Sequence, residues 1–126
     1  STPQVQVDTS ERRRKVFAFG SVPLHFSHGD KIKAAQIPLY IARDTPQGCD
    51  VRQSVLFRGH IHTASNKRQP DGHGEVGGFD VVQMASPSPP DDWHHESGYD
   101  LSQRRLTLAL VTDGVGLERV EWARVA

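Results

Sequence analysis

The sequence predicts a sheet-dominated α/β fold with one or two short helices and a C-terminal β-hairpin. Short runs of β-branched and aromatic residues recur between Gly, Pro, Asp and Ser, as in strands joined by turns. Apolar residues recur at helical spacing within 31–43. An alternating stretch at 106–111 and an apolar return at 115–125 flank Asp113-Gly114, which predicts the hairpin.

The remaining elements follow from the same signals. Strands are predicted at four further apolar runs: 16–19, 22–26, 51–57 and 79–84. Within 31–43, Pro38 shortens or breaks the helix because proline lacks an amide hydrogen. The Gly-rich, charged stretch 66–78 has little that can pack and is predicted to be a loop, as is the Pro-rich stretch 86–95.

Composition bounds the size and the class of the protein. The 126 residues predict one domain, which we expect at 16–126 behind a flexible basic segment at 1–15. A formal net charge of zero argues against a strongly electrostatic nucleic-acid binder. The single cysteine excludes an internal disulfide framework and fits a reducing compartment. No apolar run approaches the ~18 residues of a membrane span, so we expect a cytoplasmic protein that does not cross a membrane.

Two histidine motifs each follow a predicted strand. A His-Gly-Asp motif begins at His28, and a Gly-His-x-His motif begins at Gly59. Residues i and i+2 of an extended chain share a face, so His60 and His62 can point the same way. Because neutral imidazole is a common ligand of Zn, Mn, Fe and Ni, the sequence predicts a divalent-metal site where these strands end.

The order of these motifs resembles the C-terminal half of the calcineurin-like metallophosphoesterases of phages and bacteria. In that family a strand, His-Gly-Asp, a short helix, a strand, Gly-His-x-His, a loop and a strand follow one another. The stretches from Pro38 to Arg43 and from Met84 to Pro87 also resemble segments of the family. The similarity of pattern spans about residues 16–122 and implies the C-terminal half of a β-sandwich.

The resemblance implies a role for each motif. His28 resembles the lone metal histidine of the family, and His60 resembles the first histidine of the pair, which binds the same metal. His62 resembles the second, which binds the other metal of a dinuclear site. Asp30 either orients an imidazole or a water or caps the following helix. The implied cofactor is Mn, Fe, Ni or Zn.

The family's N-terminal motifs are missing from the part of the chain that precedes His28. These are Asp-x-His, Gly-Asp and Gly-Asn-His-Asp, which supply the bridging aspartate, further ligands and the acid histidine. Two metals about 3.5–4 Å apart activate a hydroxide for attack on a phosphate, and three imidazoles without the carboxylates hold one metal. We therefore expect a split gene product, processed fragment or remnant that is weakly active alone.

For several other residues, the sequence leaves a functional and a structural role open. Arg58 either binds a substrate phosphate or faces solvent, and His73 either reaches a substrate or is a solvent histidine. His94 and His95 either form a second metal site or belong to the loop. His25 falls on the opposite face of its strand from His28 and is predicted to be structural.

The leading hypothesis is metal-dependent hydrolysis of a phosphomonoester or phosphodiester, with nucleic acid as one candidate substrate. One rival is a non-catalytic oligomerising or binding module with vestigial histidines. The other is a mononuclear metal protein with three histidine ligands. A half-sandwich has to cover its apolar face, so we expect a homo-oligomer or a complementary chain that supplies the N-terminal half.

Overall fold

The computed structural model describes residues 4–28, 33–59, 72–84 and 105–124. Within these ranges the chain forms seven strands in two sheets and one α-helix, so the sheet-dominated α/β prediction is confirmed. The strands are β1 (Arg14–Phe19), β2 (Val22–Ser27), β3 (Val55–Arg58), β4 (Gly72–Val76), β5 (Phe79–Gln83), β6 (Arg105–Thr112) and β7 (Gly116–Arg124). The helix α1 spans Ile37–Asp44, and short 3₁₀ helices span Ala34–Gln36 and Val51–Gln53.

Five of the strands form one sheet in the order β1-β2-β3-β5-β4. The three central strands β2, β3 and β5 run parallel, and the outer strands β1 and β4 run antiparallel to their neighbours. The connection from β2 to β3 contains α1, as a parallel pair requires a crossover. The antiparallel pair β6–β7 is the predicted C-terminal hairpin and forms the second sheet.

Pro38 lies at the start of α1 and does not interrupt it. The helix begins at Ile37, so Pro38 occupies the first turn, where its missing amide hydrogen has no helical acceptor. The prediction of a short helix is confirmed, whereas a break at Pro38 is wrong. The helix ends at Asp44, after which the Thr45 amide nitrogen and Oγ1 both donate to the Ile41 carbonyl (3.1 and 2.6 Å).

Among the predicted strands and loops, two differ from the structure by more than two residues. The strand predicted at 51–57 begins only at Val55, because the Asp50 carboxylate accepts from the Arg52 amide nitrogen (3.0 Å) and caps a 3₁₀ helix there. The loop predicted at 66–78 is wrong over its second half, where β4 forms. Backbone hydrogen bonds to β5 hold β4, which explains why no apolar pattern indicated it. Residues 66–71 lie outside the described residues.

Two clusters of buried apolar side chains lie on opposite faces of the five-stranded sheet. On the helix face, α1 covers Leu56 and Val81 with Ile37 and Ile41. On the hairpin face, the hairpin packs on β2, β3 and β5. The residues of this second cluster are Val22, Val55, Phe57 and Val82, contacted by Val111, Leu117 and Val120 of the hairpin. The central strands are therefore covered on both faces, as is usual for parallel strands.

Hydrogen bonds connect the hairpin to the turn between β1 and β2. Asp113 Oδ1 accepts hydrogen bonds from the Ser21 amide nitrogen (2.8 Å) and from Ser21 Oγ (2.9 Å). The backbone bond from Ser21 does most to hold the pKa of Asp113 below its usual range. Gly20 has a positive φ of 58°, and a Cβ at this position would collide with the Asp113 carboxylate. Glycine is therefore required here both by the backbone and by the contact.

We expect Gly20→Ala to lower the free energy of unfolding by about 2 kcal/mol or more. The left-handed backbone conformation accounts for about 1–2 kcal/mol of this loss, and displacement of Asp113 accounts for the rest. Gly114→Ala is the matched control, because Gly114 also has a positive φ (83°) but no heavy atom within 4 Å of an added Cβ. Urea unfolding measures both variants, and equal losses would contradict a role for the Asp113 contact.

Candidate functional site

The carboxyl ends of the three parallel strands meet at one edge of the sheet. Ser27 pairs with Arg58, and Arg58 pairs with Gln83, so the last residues of β2, β3 and β5 form one row. The ladder continues beyond the strands, where the Gly59 amide nitrogen donates to the Ser27 carbonyl (3.1 Å). Ligands of open α/β sheets bind outside such carboxyl ends, and this edge is therefore the candidate functional site.

The first histidine motif starts at this carboxyl edge. His28 follows β2 directly and is exposed. Gly59, the first residue of the second motif, follows β3 directly and is the only residue of that motif within the described ranges. The other predicted residues of the metal site, Asp30, His60 and His62, lie outside the described residues, as do His94 and His95. Their roles stay predictions.

At this edge, the side chains of Ser27, Arg58 and Gln83 form a polar row on the face of the sheet that α1 covers. Gln83 is only 4% exposed, and the Ser27 hydroxyl is buried without a hydrogen-bond partner in the described part of the chain. Arg58 lies between them and is half-buried; burial lowers the pKa of its guanidinium. A guanidinium remains charged at any physiological pH, so the row brings a cation to the carboxyl edge.

Sequence reasoning singled out Arg58 but missed Ser27 and Gln83. Each of the two is a polar residue at the end of a strand, Ser27 after Phe26 and Gln83 after Val82. This position alone is a weak signal, because polar residues often end strands. Only the parallel register of β2, β3 and β5 brings the two side chains next to Arg58.

His73 occupies a different part of the sheet from His28. It lies on the outer strand β4 opposite Val82, and its Nε2 is 2.7 Å from Asp80 Oδ1. Asp80 precedes Val82 by two residues on β5, so the imidazole is directed away from the carboxyl edge of the parallel strands. His73 and Asp80 are both partly exposed. A role for His73 in substrate binding stays a prediction.

The edge carries two side chains of distinctive chemistry, a guanidinium and an imidazole. Arg58 provides positive charge and paired N–H donors, and His28 provides a nitrogen that can bind a metal or a proton. Within the four described ranges, no three His, Cys, Asp or Glu side chains gather closely enough to hold a metal ion.

None of the helices in the described ranges is both long and apolar enough to cross a membrane. No family model, curated protein or solved structure matches the chain. The functional interpretation consequently rests on the two histidine motifs and on the geometry of the carboxyl edge.

Proposed function

We propose that the chain is the C-terminal, metal-binding part of a calcineurin-like metallophosphoesterase that hydrolyses a phosphomonoester or phosphodiester. One observation carries the proposal: the strands that precede the two histidine motifs are parallel neighbours. Because β2 and β3 pair from Leu24–Val55 to Ser27–Arg58, they end side by side. Both motifs thus leave the sheet at the same edge, which two sets of ligands for one metal centre require.

The donor set fits a divalent metal of borderline softness. His28 at the end of β2, together with His60 and His62 beyond β3, would supply the imidazole nitrogens that Mn, Fe, Ni and Zn accept. Bound metal supplies Lewis acidity and a hydroxide nucleophile. The chain's own Arg58 would bind and orient the phosphate, since a guanidinium pairs bidentately with phosphate oxygens. Asp30 would orient an imidazole or a water.

The site is incomplete without carboxylates. A dinuclear centre needs acidic ligands that bridge the two cations and offset their charge, and the stretch that precedes His28 lacks the family's motifs for them. We infer that a complementary chain or segment with Asp-x-His and Gly-Asn-His-Asp completes the centre. The activity of residues 1–126 alone is then weak, and a bacterial or phage-infected cytoplasm is the compartment that fits best.

Elemental analysis of the purified chain, together with a phosphodiester hydrolysis assay, tests this proposal. We expect about one Mn, Fe, Ni or Zn per chain and weak hydrolysis of bis(p-nitrophenyl) phosphate that EDTA abolishes. Addition of a polypeptide with the missing motifs should raise the rate. A chain that stays free of metal after incubation with each of these cations would contradict the proposal.

A non-catalytic assembly module is the second candidate, and exposed apolar side chains favour it. Leu106, Leu108 and Leu110 of β6 are 51–58% exposed, and Phe17 of β1 is 61% exposed. Apolar surface of this kind is often an interaction surface, which fits a homo-oligomer or a complementary chain. A stable oligomer without metal, in sedimentation and elemental analysis of one sample, would favour this candidate over the enzyme.

A further inference from the structure

A small cavity lies between α1 and the helix face of β2. Its wall includes His25 and Leu56 of the sheet, Tyr40, Ile41 and Asp44 of α1, and Arg14 of β1. The volume of the cavity is about 10 Å³, which is about the volume that one water molecule needs. The cavity is thus a small, mostly apolar pocket that is partly open at the surface.

His25 is the buried polar group of this cavity. The residue is 5% exposed, and its Nε2 is buried without a hydrogen-bond partner in the described part of the chain. Its neighbours in the sheet, Val16 of β1 and Leu56 of β3, are apolar. Burial lowers the pKa of His25, and the negative charge of Asp44 opposes this to a smaller extent. His25 is therefore neutral in the folded protein at neutral pH.

The charged groups that face His25 are already paired with each other. From β1, Arg14 Nε donates to Asp44 Oδ2 of α1 at 2.8 Å. The Arg14 guanidinium also stacks on the Tyr40 ring, 4.1 Å from its centroid, whereas β3 contributes only Leu56. This ion pair and stacking contact join the C-terminal half of α1 to the outer strand β1, across the mouth of the cavity.

We propose that His25 and the Arg14–Asp44 pair form a proton-sensitive latch between α1 and the sheet. A neutral imidazole leaves the Asp44 carboxylate to Arg14. A protonated imidazole is a buried cation beside Arg14, and it competes with Arg14 for the Asp44 carboxylate. Acidification therefore weakens the attachment of α1 to β1. The latch does not depend on the proposed metallophosphoesterase activity.

The sign of the pH dependence follows from the lowered pKa. Above about pH 6.5, His25 is neutral in both the folded and the unfolded chain and contributes no pH dependence. As the pH falls below that value, the unfolded chain binds the proton first, so the free energy of unfolding decreases. The decrease stops where folded His25 is also protonated. The latch thus weakens in mildly acidic solution.

NMR titration of the His25 imidazole in the full chain tests the proposal through two opposed variants. Arg14→Gln removes a competing cation and frees Asp44, so the titration midpoint should rise. Asp44→Asn removes the carboxylate, so the midpoint should fall. A His25 that only fills space would titrate at the same pH in both variants. Identical midpoints in wild type, Arg14→Gln and Asp44→Asn would overturn the latch.

Amide hydrogen exchange of α1 gives a second readout that does not require variants of the ion pair. Between about pH 7.5 and about pH 5, across the ordinary histidine titration, protection of α1 relative to β3 should fall in the wild type. The same comparison on His28→Gln, which changes an exposed histidine, should show the same fall. Equal protection of α1 at both pH values in the wild type would contradict the latch.

Discussion

Replacing His60 with alanine is expected to weaken metal binding by more than about 100-fold. Even groups that only orient a metal-bound histidine contribute about 10–100-fold to affinity, and the proposed function makes His60 a direct ligand. The effect should appear as loss of metal from the purified protein in elemental analysis, and as a weaker response of hydrolysis to added Mn or Zn.

His73→Ala is the matched control for metal content. It also removes one imidazole, but His73 lies on β4 and its Nε2 is bonded to Asp80 (2.7 Å). We expect its metal content to equal that of the wild type. Circular dichroism of both variants, compared with the wild type, checks that each variant is folded. Full metal content in His60→Ala would contradict the ligand assignment, whereas loss in both variants would indicate nonspecific binding.

Ile41→Ala is expected to lower the free energy of unfolding by about 2–4 kcal/mol. Ile41 is 1% exposed and packs with Ile37, Leu56 and Val81 between α1 and the sheet. Truncation of such a side chain removes buried apolar surface and leaves a cavity, which together cost about 2–5 kcal/mol. The higher helix propensity of alanine offsets a few tenths of a kcal/mol. Urea unfolding monitored by circular dichroism measures the loss.

Leu39→Ala on the same helix is the control for Ile41→Ala. Leu39 is 71% exposed, so its truncation should change the free energy of unfolding by less than about 0.5 kcal/mol. The two variants lose the same number of carbon atoms two residues apart in α1, and only the burial differs. Equal effects would mean that α1 does not pack on the sheet as described.

The apolar pattern predicted most strands because they are buried on at least one face. Val55 and Phe57 face the hairpin, whereas Leu56 faces α1, so β3 is apolar at its first three positions and polar only at Arg58. β4 was missed for the converse reason. Its residues include Gly72 and Gly74, and the strand is held by backbone hydrogen bonds to β5. Such bonds leave no trace in the hydrophobic pattern.

Some residues of the candidate site could be predicted from the sequence, and others could be found only from the fold. His28 and Arg58 could be singled out from the sequence because their chemistry is distinctive and each directly precedes or begins a motif. Gln83 could not, because an amide at the end of a strand is common and its burial next to Arg58 depends on the parallel pairing of β3 with β5. His25 was predicted to be structural, and its burial agrees with this. Its meeting with Arg14 and Asp44 required the fold.

The sequence by itself determined the fold class, the short helix after β2, the C-terminal hairpin and the two histidine motifs, since these depend on local periodicity and residue chemistry. Tertiary structure decided which strands are neighbours, that α1 and the hairpin cover opposite faces, and which polar side chains meet. Arg14 lies 30 residues before Asp44, and Ser21 lies 92 residues before Asp113. Contacts at such separations arise from the packing of whole elements, which no local pattern encodes.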